Sequence, residues 1–184
     1  MFEKYKKVLK KDYDAWYQEN KAYRDKVAKD PRRLKFHLMP ETGWLNDPNG
    51  LCQFHGTYHI YYQYTPFEPT GELKMWAHCT TKDFIHYRDY GPVLFPDQDF
   101  DAHGVYSGSA FVENDKIYYY YTGNVKYFDR DDYDYINSGR GSNTVMFTSE
   151  DGYHFSEKEL LMTTDDYPED ISNHVRDPKI FKHD

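Results

Sequence analysis

The stretch HIYYQYT, residues 59–65, decides the fold because its side chains alternate in character along the run. Such alternation has the two-residue period of a β-strand, so the even-numbered residues should share one face and the odd-numbered residues the other. Residues 51–54 and a turn at His55-Gly56-Thr57 precede it, so we predict a β-hairpin that ends near residue 64. A closely similar stretch, KIYYYYT, occupies residues 116–122. Strands of this kind therefore repeat along the chain.

A second repeat indicates that the strands come in units. The stretch TTKDFIHY at residues 80–87 matches TSEDGYHF at residues 148–155 in charge, turn residues and aromatic positions. A unit of about 60 to 70 residues that holds several short strands is typical of a β-propeller blade with long loops. Residues 126–143 show no period and are predicted to form a long loop. We predict an all-β fold with further strand pairs at 75–80 with 84–88, 105–112 with 116–121, and 144–148 with 153–155.

The N-terminal residues predict one amphipathic α-helix, from about residue 2 to 29, that packs on the outside of the domain. Asp30-Pro31 ends it, because a residue before proline avoids the helical region. We assign residues 1–31 to a helical extension and residues 32–184 to a partial propeller domain. The apolar positions recur at three- and four-residue steps or their sums, at Phe2, Tyr5, Leu9, Tyr13, Trp16, Tyr23 and Val27.

The composition fits one folded domain and excludes some classes of partner. The chain has 184 residues, of which 39% are hydrophobic, so one core is possible and two are not expected. Aromatic residues make up 19% of the chain, which suits half-buried strands and also suits contact with sugar rings. The net charge of −8 argues against a nucleic-acid partner.

Membrane and metal signals are weak in this sequence. No apolar run approaches the roughly 20 residues of a membrane span, and the first residues lack the pattern of a signal peptide, so we expect a cytoplasmic protein with no membrane partner. Cys52 and Cys79 are expected to be free thiols. The Cys and His residues do not have zinc spacing, and we expect neither a metal nor a cofactor.

The stretch HLMPETGWLNDPNG, residues 37–50, has the composition of a functional site. It brings carboxylates, two carboxamides, an imidazole and an indole into one segment, which two prolines and two glycines keep from being helical. Asp47-Pro48-Asn49-Gly50 alone would also suit an ordinary surface turn. The segment is therefore either an elaborate turn or a site.

The repeat places three polar residues at the start of successive units. Asp47, Ser107 and Asp177 follow one another at steps of about 60 to 70 residues. First strands of propeller blades line the central channel, so these residues should converge although they are far apart in sequence. Carboxylates at the mouth of such a channel, ringed by Trp, Asn and Gln, suit the hydrolysis of a glycosidic bond.

Residues 37–50 resemble the signature opening of glycoside hydrolase family 32, the β-fructofuranosidases, and the resemblance runs from about residue 30 to the end of the chain. The aspartate of the family motif W-x-N-D-P-N-G is the nucleophile, which implies this role for Asp47. Backbone N–H groups of the turn should favour its charged form. Arg176-Asp177-Pro178 resembles the R-D-P motif, which implies that Asp177 holds fructosyl hydroxyls and stabilises the transition state. The charge of Arg176 should keep Asp177 ionised.

Other short motifs resemble the family one at a time. YQYTP at residues 62–66 is similar to Y-Q-Y-N-P, WAH at residues 76–78 to W-G-H, and YSGS at residues 106–109 to F-S-G-S. Thr65 and Ala77 depart from these motifs. The resemblance implies substrate-binding roles for Trp44, Leu45, Asn46, Gln63, Trp76, Tyr106, Ser107 and Arg176.

The resemblance implies a retaining hydrolase of terminal β-D-fructofuranosides such as sucrose 6-phosphate or sucrose, so its partner would be a small-molecule fructoside. Residues 32–184 would supply the first two to three blades of a five-bladed propeller. A covalent fructosyl intermediate would form on Asp47, with the proton-donating carboxyl group about 5 Å away. A 6-phosphate would require cations at the pocket rim, for which Lys126, Arg130 and Arg140 are candidates.

The proton donor of the family is a glutamate in an E-C motif, which the repeat would place about 60 to 70 residues after Asp177. The sequence has no Glu-Cys pair and its last residue is Asp184, so we expect the 184-residue chain alone to be inactive. Glu41, Glu68 and Glu72 occupy other positions of the repeat. The alternative is a non-catalytic fructoside-binding or interaction protein derived from the same fold.

Overall fold

Alternating aromatic and polar residues form eight β-strands in the computed structural model of the protein, which describes residues 7–183. Two α-helices precede them, α1 (Lys10–Glu19) and α2 (Lys21–Ala28), and short 3-10 helices lie at Asp99–Asp101 and Thr164–Asp166. No helix in this part of the chain is long and apolar enough to cross a membrane. The strands are β1 (Trp44–Phe54), β2 (Thr57–Thr65), β3 (Met75–Thr81), β4 (Tyr87–Leu94), β5 (Val105–Glu113), β6 (Lys116–Lys126), β7 (Arg140–Ser149) and β8 (Glu159–Met162).

The strands form two four-stranded antiparallel sheets. The first sheet has the order β1-β2-β3-β4 and the second the order β5-β6-β7-β8. Both sheets contribute to one buried core, which includes Tyr61 and Trp76 from the first sheet and Tyr119, Tyr121 and Phe147 from the second. The predicted all-β class is therefore confirmed.

The alternation predicted for β2 is present in the structure. Tyr61 lies in the shared core, where its hydroxyl is hydrogen-bonded to the hydroxyl of Tyr119 at 2.7 Å. Tyr62 and Tyr64 lie in a separate apolar cluster with Ala77. One apolar cluster packs on each face of β2, so most of the strand is buried. The two-residue period correctly predicted which residues share each face.

The repeated stretches of sequence form the same turn in both sheets. In the first sheet, the Thr81 hydroxyl accepts a hydrogen bond from the backbone N–H of residue 84 at 2.9 Å, and Asp83 Oδ1 accepts from that of residue 86 at 2.8 Å. In the second sheet, Ser149 and Asp151 accept the equivalent bonds, each at 2.8 Å. The repeat predicted from sequence is therefore a repeat of structure.

These turns also explain why the strands predicted at residues 84–88 and 153–155 were wrong in their positions. Residues 84–86 and 153–155 do not form strands; β4 begins at Tyr87 and β8 at Glu159. The side chains of Asp83 and Asp151 accept hydrogen bonds from the backbone N–H groups that a strand would need for pairing.

The loop predicted at residues 126–143 is shorter than expected, because Arg140 begins β7 and pairs with Lys126. Buried polar side chains hid this strand from a search for alternating apolar residues. The Ser142 hydroxyl donates to the carbonyl of Asn173 at 2.7 Å, and the Asn143 carboxamide donates to the carbonyl of Phe100 at 2.8 Å. Hydrogen bonds to neighbouring backbone therefore replace apolar packing at this end of β7.

The single N-terminal helix predicted for residues 2–29 is wrong in its extent, since the structure has two helices divided at Asn20. The Asn20 carboxamide donates to the carbonyl of Trp16 at 2.9 Å, so a side chain competes for the helix hydrogen bonds at this point. The predicted positions 2–6 lie outside the described residues. Tyr13 of α1 packs against Phe95, the residue after β4, with 6.1 Å between the ring centroids.

The third unit has no sheet in the described part of the chain. Residues 163–183 contain no strand, so the structure has two sheets where two to three blades were expected. The segment is nevertheless attached to the second sheet: the Ser142 and Ser109 hydroxyls donate to the carbonyls of Asn173 and Pro178, each at 2.7 Å. This attachment brings Asp177 back towards the first residues of both sheets.

Candidate active site

The site begins where the strand β1 is irregular. We predicted that strand pairing starts at residue 51, after a turn, but β1 already pairs with β2 from Trp44. Its register shifts between Leu45 and Pro48, and again between Asn49 and Cys52. β1 is an edge strand of its sheet, where a proline such as Pro48 and a β-bulge are tolerated. The bulge re-aims the two residues that lie inside it, Asn46 and Asp47.

Asp47 faces a matching irregularity in the second sheet. The pairing of β5 with β6 shifts between Val105 and Gly108, and Ser107 lies inside this shift. The Ser107 hydroxyl donates a hydrogen bond to Oδ2 of Asp47 at 3.1 Å. Ser107 is buried, whereas Asp47 is exposed. A buried hydroxyl therefore holds an accessible carboxylate where the two sheets meet; the donor is a side chain rather than the turn N–H groups we had expected.

Asp177 joins the same place through the chain that follows the second sheet. Its backbone N–H donates to the Thr122 hydroxyl at 3.0 Å, and the Arg176 guanidinium lies 3.5 Å from its carboxylate. Burial raises the pKa of Asp177, the charge of Arg176 lowers it, and the nearby charge of Asp47 raises it again. The net shift is upward, so Arg176 does not outweigh the other two effects as we had expected. The two carboxylates are close enough to repel each other.

Asn46 and Gln63 form a second polar pair beside Asp47. The Asn46 carboxamide donates to Oε1 of Gln63 at 3.1 Å across the β1–β2 pair. Gln63 is buried and Asn46 half-buried. Of the other predicted contacts on β1, Leu45 packs against the apolar cluster around Tyr62. The structure therefore brings Asn46 and Gln63 together, while Leu45 serves packing.

Trp76 and Tyr106 support the site from within the core. Trp76 is fully buried, and its indole N–H donates to the carbonyl of Tyr106 at 3.0 Å. This bond joins β3 of the first sheet to β5 of the second, immediately before Ser107. Burial also raises the pKa of Tyr106 to about 12. In this structure Trp76 acts on the site by fixing the backbone that carries Ser107.

A basic residue that the sequence did not single out lies beside these groups. The ammonium of Lys74 is 5.6 Å from the Trp44 ring centroid and 4.9 Å from the Tyr106 ring centroid. Burial, together with the charge of Lys126, lowers the pKa of Lys74 to about 8. No motif marks this lysine, because only the pairing of the sheets places it near Tyr106.

The three candidate cations for a phosphate differ in their surroundings. Arg130 forms two 2.8 Å hydrogen bonds to Asp132 within the exposed loop. Lys126 ends β6, and Arg140 begins β7 with its guanidinium 3.7 Å from the Tyr135 ring centroid. Arg140 is buried, and its charge acts on Lys74. The charges of Lys126 and Arg140 both act on Lys74, and that of Arg140 also acts on Tyr106.

Comparison with known proteins assigns this chain to a family. Residues 37–184 match the family model described as the glycosyl hydrolases family 32 N-terminal domain. The chain therefore belongs to glycosyl hydrolase family 32. This match starts at the first residue of the stretch that contains Asp47, and it covers both sheets and the segment that contains Asp177.

Similar proteins come from several bacteria and an insect. Sucrose-6-phosphate hydrolase of Vibrio alginolyticus is 44% identical over 147 residues, which are 80% of this chain and 28% of that protein. The enzyme of the same name from Bacillus subtilis (strain 168) is 36% identical over 168 residues, 91% of this chain and 33% of that protein. The chain thus spans about a third of the length of these relatives.

Two solved structures resemble the fold over nearly the whole chain. The structure of sucrose-6-phosphate hydrolase from Lactobacillus gasseri has a TM-score of 0.80 and 34% identity, and the match covers 98% of this chain and 34% of that one. A mutant of Bombyx mori GH32 beta-fructofuranosidase in complex with sucrose has a TM-score of 0.70 and 28% identity, with coverage of 93% and 35%.

Proposed function

We propose that this chain is the nucleophile-bearing part of a retaining β-fructofuranosidase that hydrolyses sucrose 6-phosphate or sucrose. The observation that carries the proposal is the hydrogen bond from the buried Ser107 to the exposed Asp47, with Asp177 nearby, in a chain of family 32. A carboxylate that is held by a neighbouring sheet and still open to solvent can attack a sugar. The names of the relatives supply the two substrates.

In the proposed reaction, a carboxylate oxygen of Asp47 attacks the anomeric carbon of the fructosyl group. The bond from that carbon to the leaving glycosyl oxygen breaks, and the leaving oxygen takes a proton from a carboxylic acid. Water then hydrolyses the fructosyl ester on Asp47, and the acid regains its proton from that water. Configuration at the anomeric carbon is retained because two displacements occur.

The remaining polar residues have binding roles in this proposal. Asp177 would accept hydrogen bonds from fructosyl hydroxyls and stabilise the positive charge that develops on the ring in the transition state. Asn46 and Gln63 would orient the sugar, and Ser107 would orient Asp47. Arg176 lies next to Asp177 and would limit the repulsion between the two carboxylates.

The proton donor in this proposal is the glutamate of the family's E-C motif. The repeat places it about 60 to 70 residues after Asp177, in the next unit. The two sheets would then be the first two blades of a five-bladed propeller, with first strands β1 and β5 at the channel. Glu41 is unsuited as the acid, because Arg24 binds it at 2.8 Å on the side of α2.

The test uses the full-length gene product with sucrose and sucrose 6-phosphate. Replacing Asp47 with Asn removes the nucleophile and should lower kcat by on the order of 10⁴-fold or more. Rapid quenching of the unmodified enzyme should yield a fructosyl adduct on the peptide that contains Asp47, detected by mass spectrometry. The matched control is Asp115→Asn, an exposed aspartate on the turn between β5 and β6 that pairs with His55, and it should keep normal activity.

Two outcomes would refute the assignment. Turnover that survives Asp47→Asn would show that another group is the nucleophile. Tight binding of fructosides without any turnover by the full-length protein would favour the non-catalytic alternative instead. The isolated 184-residue chain should show no measurable turnover, because it lacks the Glu-Cys motif of the proposed proton donor.

A further inference from the structure

Lys74 occupies a position that the fructosyl-binding roles do not explain. Its ammonium lies between the aromatic rings of Trp44 and Tyr106, 5.6 Å and 4.9 Å from their centroids. Tyr106 directly precedes Ser107, whose hydroxyl binds Asp47. Aromatic contacts therefore hold a cation beside the candidate nucleophile.

The ammonium of Lys74 has donors left for a ligand. In the described part of the chain, the ammonium donates one hydrogen bond, to the carbonyl of Gly71 at 2.6 Å. An ammonium has three N–H donors, so two remain for a ligand. Its pKa is lowered by burial and by the charges of Lys126 and Arg140, against the opposite effects of Glu72 and Asp47. Burial and the neighbouring cations therefore disfavour the charged form of Lys74. A bound anion would offset this effect.

Arg140 adds a second, more unusual cation. Its side chain is 1% exposed, and none of the three guanidinium nitrogens has a hydrogen-bond partner in the described part of the chain. A buried guanidinium without hydrogen-bond partners is costly to the folded state, and the ring of Tyr135 at 3.7 Å does not supply the negative charge that an anion would. Its charge acts on both Lys74 and Tyr106, so the two cations share one neighbourhood.

Two guanidinium groups act on Tyr106. Arg140 and Arg176 both lower its pKa, while burial, Tyr135 and the carboxylate of Glu72 raise it. A neutral glycosyl group needs hydrogen-bond partners but no excess of cations. A phosphate monoester carries up to two negative charges and several acceptor oxygens, and it matches this arrangement better.

We propose that Lys74, with Arg140 close by, forms a phosphate-binding position beside Asp47 that selects a phosphorylated disaccharide over the neutral sugar. The inference rests on the proposed function, since it assigns the position to the substrate of that reaction. Lys74 is the direct contact, with two N–H donors for phosphate oxygens. Arg140 strengthens the local positive potential from its buried place behind Tyr135.

The test compares kcat/KM for sucrose 6-phosphate with kcat/KM for sucrose in the full-length gene product. In Lys74→Met, the ratio of the two values should fall about 10- to 100-fold, the usual effect of losing a charge-assisted hydrogen bond. Lys74→Arg keeps the charge and should retain a larger part of the ratio. Lys116→Met is the matched control, because Lys116 also lies over an aromatic ring, Tyr118 at 5.8 Å, but at the first residue of β6.

The outcomes separate this inference from the proposed function. If Lys74→Met lowers both kcat/KM values equally and leaves the ratio unchanged, Lys74 only supports Trp44 and Tyr106, and the phosphate position is refuted. A ratio that falls as much in Lys116→Met would also refute it. If the unmodified full-length protein hydrolyses neither substrate, the proposed function itself fails, and the phosphate position fails with it.

Discussion

At the scale of single residues, the site combines groups whose environments differ sharply. Asp47 is open to solvent and is oriented by one buried hydroxyl, that of Ser107. Lys74 is half-buried, its charge interacts with that of Asp47, and its pKa is lowered to about 8, chiefly by burial. Asp177 is half-exposed, and its pKa is raised by burial and by Asp47. Orientation by neighbours, more than burial of the reacting group, characterises the candidate nucleophile.

The lowered pKa of Lys74 predicts a pH dependence for substrate preference. As the pH rises through about 8, the ammonium loses its proton and its attraction for a phosphate. The phosphate itself gains a proton only below about pH 6. The ratio of kcat/KM for sucrose 6-phosphate to that for sucrose should therefore be highest between these values and decline above pH 8.

This pH profile is measured on the full-length gene product between pH 6 and pH 10. The charges that shift the pKa of Lys74 are those of Lys126, Arg140, Glu72 and Asp47. The pH at which the ratio declines therefore reflects their combined effect. A guanidinium keeps its proton up to about pH 12, so Lys74→Arg should abolish the decline. A ratio that stays constant to pH 10 in the unmodified protein would contradict the assignment.

At the scale of elements, the two copies of one turn differ for a physical reason. Phe84 in the first sheet and Gly152 in the second occupy the same place, and both have a positive φ, 59° and 81°. Phe84 is exposed, so its side chain has room. A Cβ at Gly152 would lie 2.2 Å from the His59 ring, because this turn packs against β2 of the first sheet. The glycine is required by contact between the sheets.

Gly152→Ala should therefore be more destabilising than an alanine at a comparable exposed turn. The left-handed conformation costs about 1–2 kcal/mol, and overpacking against His59 adds about 1–3 kcal/mol. Gly56→Ala is the matched control, since Gly56 has φ 74° and no atom within 4 Å of an added Cβ, and it should show only the first cost. Urea unfolding of the two variants measures the difference, and equal midpoints would contradict this contact.

At the scale of the whole molecule, a buried ion cluster secures the connection between the sheets. Lys158, just before β8, binds Asp97 and Asp101 at 2.6 Å each. Both aspartates lie in the segment that joins β4 to β5. Asp101 is fully buried, and the Tyr121 hydroxyl donates to it at 2.7 Å. The connecting segment is thereby fixed to the second sheet, which helps to set the positions of β1 and β5.

Removing one partner of this cluster should destabilise the protein. Lys158→Met leaves a buried carboxylate without its cation, which typically costs about 3–5 kcal/mol. Lys182→Met is the control, because Lys182 pairs with Glu113 at 2.9 Å on the surface, and such pairs contribute at most about 1 kcal/mol. Guanidinium unfolding monitored by tryptophan fluorescence compares the two. Similar losses in both variants would show that the cluster is not stabilising.

Sequence patterns predicted local features well and failed where side chains compete with the backbone. The alternation at residues 59–65 and the turn repeated at residues 80–87 and 148–155 both recur in the structure. The helix break at Asn20 and the strand that begins at Arg140 were missed. In both cases, polar side chains hydrogen-bond to backbone groups, and periodicity of apolar residues carries no information about such bonds.

In the candidate site, too, some residues were predicted from sequence and others were missed. Asp47, Ser107 and Asp177 were brought together by a repeat in the sequence, and the structure places them at one junction. Lys74 belongs to no motif and enters the site only because β3 and β5 meet beside Tyr106. Trp76, for which the family resemblance implies a substrate contact, is fully buried and donates a hydrogen bond to the carbonyl of Tyr106. Spacing along the chain cannot distinguish a side chain that faces a cleft from one that supports it.

The sequence by itself determined the all-β class, the repeated strand unit, the family and the residues that carry the proposed chemistry. These depend on local period, turn residues and short motifs, which the order of residues states directly. Only the tertiary structure decided that β-bulges aim Asp47 at Ser107, and that Lys74 and Arg140 share a neighbourhood. These features arise from contacts between residues distant in sequence, and packing of the two sheets sets the distances that govern their charges.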